Sequence, residues 1–266
     1  MLRIKSRVGW WRVAGILLLA LAAVLPAAAR AVKSQSLDYA EAKLAHAIKT
    51  NDPHGLMQAV QMARLAVDAP RDRTLFLEAR ATYALAWVYF LNDETRKSAE
   101  QARIAVGVLN RAVDMLEAPT HALQAYRVMM AALLQDLDGV ADPMIGQLAE
   151  DDLRDLIEHG GDDPLVLYAR AMVAVHESRF GQKKGRAIDV ALTLFTRLAV
   201  QEPQNRTFRA FAIFLKARSD PEQRPAAAKA LTDMLRQDPA FRPAVFLRGR
   251  LYSHSRKLCP MPASCP

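Results

Sequence analysis

This sequence predicts an all-α fold, a solenoid of stacked antiparallel helical hairpins carried behind an N-terminal leader, and three observations lead there. Alanine, leucine and arginine dominate a chain of 266 residues with 11 glycines and few asparagine-glycine turn signals, so helix propensity is favoured almost everywhere and strands have little support. Apolar residues recur at helical spacing between prolines and Asp-Pro steps. Two stretches 133 residues apart also carry nearly the same signature, Arg64-Leu65-Ala66-Val67 closing on Pro70 and Arg197-Leu198-Ala199-Val200 closing on Pro203. A helix that offers a Leu-Ala step to a neighbour and is then stopped by proline, used twice, points to repeated hairpins.

In chain order the periodicity predicts helices near 36–50, 54–68, 72–91, 94–117, 121–136, 143–159, 164–179, 184–201, 205–218, 222–237 and 241–254. Asp52-Pro53, Asp142-Pro143, Asp163-Pro164 and Asp220-Pro221 each place a capping carboxylate before a proline at the first helical position, where the missing N–H costs nothing. These aspartates read as helix starts rather than catalytic groups. Pro70, Pro119, Pro164, Pro203 and Pro239 follow one another at 49, 45, 39 and 36 residues, a period that tightens toward the C-terminus. Ahead of Pro203, Ala191, Phe195, Leu198 and Ala199 recur at i, i+4, i+7 and i+8, one face of a helix, and Ala227, Leu231, Met234 and Leu235 repeat those offsets ahead of Pro239. Gly249 and Tyr252 follow, a small residue and an aromatic that fit a close helix approach.

The first 31 residues form a separate segment. Arg3, Lys5, Arg7 and Arg12 make a positive leader, Val13 to Leu25 is an unbroken apolar run, and Pro26 precedes Ala27-Ala28-Ala29, an A-x-A-type cleavage site. Two readings stand: a cleaved signal peptide, or a single membrane anchor over residues 13–29 with Trp10 and Trp11 at the interface. Either puts residues after about 32 outside the cytoplasmic membrane, in a periplasm, because positive charge stays inside. The helical domain then spans 32–255, and 256–266 is a Cys/Pro-rich tail in which Cys259 and Cys265 form a candidate disulfide suited to an oxidising compartment.

The chain resembles the tetratricopeptide repeat (TPR) superfamily. Ala191, Phe195, Leu198, Ala199, Pro203, Ala227, Leu231, Pro239, Gly249 and Tyr252 stand where that family's pattern asks, as do Met62, Leu65, Ala66 and Pro70, while Leu85, Ala86 and Tyr89 match a first helix. The match is best over 164–254, fair over 54–92 and poor over 93–163. The resemblance implies a concave face, made by the first helices of successive hairpins, that buries a partner segment.

No catalytic motif is present: no phosphate loop, no H-E-x-x-H, no G-x-S-x-G and no paired CxxC, and Gly181 to Gly185 reads as a loop between helices. Asp136-Leu137-Asp138-Gly139 with Asp142 resembles part of a calcium loop but lacks the closing glutamate, so it reads as an acidic turn. His254 with Cys259, Met261 and Cys265 supports a weaker metal-handling alternative in the tail, and no metal or cofactor is assigned. Met129, Met130, Trp87, Tyr89 and Phe90 read as core.

Charge is unevenly spread. The whole chain carries +8; residues 32–164 hold 13 basic and 21 acidic residues, a balance of −8, and residues 165–266 hold 18 basic and 7 acidic, a balance of +11. Acids gather at Glu150, Asp151, Asp152, Asp155 and Glu158, then Asp162 and Asp163. A solvated, soluble surface accounts for such runs, and an arginine-rich half also attracts an acidic protein segment or an anionic envelope polymer. The reading is a non-catalytic protein-interaction scaffold that helps assemble or maintain an envelope enzyme or machine, with Tyr168, Met172, Arg206, Arg209, Arg248, Arg250 and Tyr252 as candidate partner contacts. The expected partner is an acidic segment of an exported enzyme or envelope complex, not nucleic acid. A glycan-binding envelope module is the alternative, and an aromatic content of 7% argues against it.

Overall fold

The computed structural model describes residues 37–251 except 67–68, 116–119, 139–142 and 181–183. The leader, the candidate anchor, Asp142, Tyr252, His254, Cys259 and Cys265 lie outside the described residues. Within them the chain is all-α with no strand, and no helix is long and apolar enough to cross a membrane.

The helices are α1 (37–50), α2 (Pro53–Leu65), α3 (Arg71–Leu91), α4 (Thr95–Asp114), α5 (His121–Asp138), α6 (Pro143–His159), α7 (Pro164–Phe180), α8 (Lys184–Gln201), α9 (Arg206–Ser219), α10 (Arg224–Gln237) and α11 (Arg242–Arg250). The predicted 222–237 helix begins as a separate 3₁₀ turn, Pro221–Gln223, and α11 stops four residues short of the predicted 254. Three of the predicted caps are in place. Asp52 accepts from the His54 N–H at 3.0 Å, Asp163 from Leu165 at 2.8 Å, and Asp220 from Glu222 at 3.0 Å.

α3 is the central helix. Fourteen of its 21 residues are buried, all the way round, so two separate apolar clusters form against it. Leu77, Ala81, Leu85 and Val88 face Leu37, Leu44, Leu56 and Ala59 of α1 and α2. Leu75, Ala79, Tyr83, Ala86 and Phe90 face the larger core that runs to Leu251. α4 closes on α3 through the small residues Ser98, Ala99, Ala102 and Ala105, and the Ser98 hydroxyl donates to the Ala86 carbonyl at 2.8 Å. Each helix from α2 to α5 packs on its successor, as do α5 and α6, and α7 to α9 likewise. α7 packs mainly on α5 rather than on α6, its predecessor in sequence. At the α6–α7 turn Gly160 is required: a Cβ there would stand 2.5 Å from the Leu156 carbonyl oxygen and 2.7 Å from Val166 Cγ1.

Two sequence expectations need correction. The twin signatures are not equivalent: Leu198 is fully buried inside α8, whereas Leu65 is 79% exposed. α2 ends at Leu65, and Ala63 takes the buried place on that face, so Leu198 packs where Leu65 does not, and of the first copy's described residues Ala66 alone lies partly buried against the core. Nor does Gly249 permit a close approach, since no heavy atom lies within 4 Å of where its Cβ would be.

Candidate functional site

Helices α3, α5, α7, α9 and α11 line a partly open cavity of about 1000 Å³. α5 packs on α3 and on α7, Tyr168 of α7 meets Phe208 of α9 with ring centroids 5.3 Å apart, α9 packs on α11, and α11 returns to α3. The return contact joins Phe246 to Phe90 at 5.1 Å and Arg250 Nη2 to Asp93 Oδ1 at 3.1 Å, residues 157 positions apart. Asp93 holds its backbone at φ 59°, the left-handed region that Asp tolerates better than most residues. The five helices therefore form a closed circuit around the cavity, and α4, α8 and α10 lie against their flanks.

The walls are apolar and aromatic. Trp87 stacks on Phe90 at 5.2 Å and lies 6.1 Å from Phe211, which stacks on Phe195 at 4.7 Å. Phe214 and Phe246 complete the aromatic lining. The charged residues of the lining are Arg218, Arg242 and Arg250 against Asp93 and Asp136. Arg250 also lies over the Phe246 ring at 4.3 Å, and Arg218 over Phe214 at 5.8 Å. Arg242 is exposed and makes no ion pair among the described residues. With histidine neutral the lining carries a net positive charge, which favours an anionic occupant.

Two buried polar residues stand among these walls. His176 of α7 and Asp136 of α5 meet with Nδ1 to Oδ2 at 2.7 Å, their side chains 4% and 2% exposed. The Nε2 of His176 and the Oδ1 of Asn92, another cavity-lining residue, are buried with no hydrogen-bond partner among the described residues. Asp136 is thus the buried partner of a histidine at the end of a helix and not a turn residue facing solvent.

The predicted contact residues divide. Met172 and Arg250 line the cavity. Tyr168 is partly buried and outside the cavity lining: its ring packs on Phe195 and Phe208, its hydroxyl accepts from Tyr83 at 3.3 Å, and burial pushes its ionisation up to about 12. Arg206 is likewise committed internally, with Nη1 on Asp238 at 3.1 Å, Nη2 on the Met234 carbonyl at 2.9 Å, and its plane over Phe241 at 4.6 Å. It closes the C-terminal end of α10, where orphan carbonyls attract cations. Arg209 and Arg248 are exposed and outside the cavity lining. Met129 and Met130 are core, as read from the sequence; Trp87 is half-buried and borders the cavity.

Sequence reasoning missed His176 and Asn92, whereas Arg242 stood among the C-terminal arginines it expected to attract an acidic segment. One signal was present for the first: His176 lies four residues after Met172 on a face that is otherwise apolar. Among the described residues no group of three or more His, Cys, Asp or Glu side chains stands close enough to hold a metal ion. The chain matches no protein-family model, no curated protein and no solved structure.

Proposed function

We propose that this protein is an exported or membrane-anchored, TPR-like scaffold that binds an acidic segment of a partner protein in the concavity lined by α3, α5, α7, α9 and α11. The hairpins α3–α4, α7–α8 and α9–α10 would form a short, closed solenoid, with first helices inside and second helices outside. The observation that carries this reading is the lining itself: aromatic walls and three arginines on the faces that α9 and α11 turn to α3, α5 and α7. Apolar walls give a docked segment its affinity, and the cations select acidic neighbours and speed encounter. The basic leader and the apolar run behind it support export.

The test is capture of envelope proteins by the full-length chain carrying a C-terminal tag, compared with the Arg218→Glu, Arg242→Glu variant. A specific partner should be retained by the parent, lost by the folded variant, and released as the screening length falls below about 8 Å above physiological ionic strength. Equal retention by parent and variant at low and high salt refutes the reading.

A further inference from the structure

His176 has two ring nitrogens and only one is used. In the neutral imidazole that donates its Nδ1–H to Asp136, Nε2 is a lone-pair acceptor. Nε2 is buried and has no hydrogen-bond partner among the described residues, and the same holds for Asn92 Oδ1 at the end of α3. A buried acceptor without a donor loses its hydration and gains nothing in return, so native interiors rarely keep one. Here two belong to residues lining one cavity. The occupant that suits them brings a donor, has an apolar body to lie against Phe211, Phe214 and Phe246, and is flanked by negative charge for Arg218 and Arg242.

We propose that the cavity receives the side chain of a tyrosine set in an acidic partner segment, with its phenolic O–H donated to His176 Nε2. This rests on the partner-binding reading above and names the anchor of that segment. A phenol carries its donor at the tip of the ring's long axis, so the ring can fill the aromatic chamber while the hydroxyl reaches the histidine. Serine and threonine have no ring to fill the space. Lysine and arginine meet a lining of net positive charge. No proton is transferred, because the O–H only donates a hydrogen bond.

The experiment titrates the purified full-length protein with labelled nine-residue peptides of aspartate, glutamate and glycine that differ only at the central residue: tyrosine, phenylalanine, O-methyltyrosine or tryptophan. Tyrosine should bind at least about tenfold more tightly than phenylalanine or O-methyltyrosine, about 1.4 kcal/mol for one buried hydrogen bond. In the His176→Leu variant the tyrosine peptide should fall to the phenylalanine level, while the phenylalanine peptide keeps its affinity. The O-methyltyrosine comparison uses the parent alone and does not depend on that variant folding. Equal binding of the tyrosine and phenylalanine peptides overturns the proposal, as does a tryptophan peptide that binds as tightly as tyrosine, or absence of binding by the tyrosine peptide. Equal binding that Arg242→Glu abolishes removes the tyrosine anchor and leaves the partner-binding reading standing, since that reading falls only with the capture experiment.

Discussion

Arg127→Met should detach α6. Arg127 of α5 and Asp152 of α6 form a two-point ion pair, Nη2 to Oδ1 at 2.7 Å beside a bond from Nε to Oδ2, with side chains only 7% and 6% exposed. Removing the guanidinium strands a buried carboxylate, a loss of about 3–5 kcal/mol. In a domain of roughly 200 residues each kcal/mol moves the melting temperature by about 2–4 °C, so a fall of about 6–20 °C is expected. The effect should centre on α6, because Leu156 is the one fully buried apolar side chain among those described in that helix and α6 packs mainly on α5. Among the described residues the other side-chain hydrogen bond between α5 and α6 is Gln124 Nε2 to Asp155 Oδ2 at 2.8 Å. Circular-dichroism melting with hydrogen exchange reads both quantities: a lower midpoint, and faster exchange over 152–159 than over α3. Arg127→Met with Asp152→Leu should recover most of the loss, because an apolar pair of similar volume leaves no stranded charge. A single variant that melts with the parent, or a double variant no better than the single, refutes the reasoning.

The twin signatures give an internal comparison: Leu198→Ala should cost about 2–5 kcal/mol in urea unfolding, whereas Leu65→Ala should stay within about 0.5 kcal/mol. Gly249→Leu should leave the unfolding midpoint unchanged, since open space surrounds the position. Burial holds the Tyr83, Tyr126 and Tyr168 phenols neutral above their ordinary 10.0, Tyr168 to about 12. Because the raised folded value favours the protonated form, the stabilisation is complete below pH 10 and is lost as pH rises toward 12, so phenolate absorbance of these three tyrosines should appear late and together with unfolding. An alkaline phosphatase joined after residue 32 should be active, and a fusion at that point that works only with a cytoplasmic reporter refutes export.

Helix positions were legible because they depend on neighbours in sequence: α6 and α8 begin and end where the apolar spacing and the Asp-Pro or loop boundaries place them. The candidate site was not, because it depends on which helices become neighbours. His176 and Asp136 are 40 residues apart and meet only because α7 packs on α5, bypassing α6. The Arg-Leu-Ala-Val match misled for a related reason, since identical letters at a helix end and inside a helix face different surroundings. Arginine counts pointed to the C-terminal half, yet composition could not distinguish Arg206, committed to its own backbone and Asp238, from Arg242, which has no ion pair among the described residues.

The circuit of helices closes through its most distant parts, since α11 joins α3 across 157 residues. Contacts of such separation require the largest loop to be closed and form late, after the local hairpins are in place. An exposed ion pair adds little to that closure, so the Phe90–Phe246 contact and the surrounding apolar surface must hold it. During synthesis the chamber consequently lacks its fifth side until the last described helix has emerged, and a chain cut before α11 would present an open trough in place of the closed circuit of helices. The closed form of the cavity is therefore reached only when α11 has been made and has packed on α3.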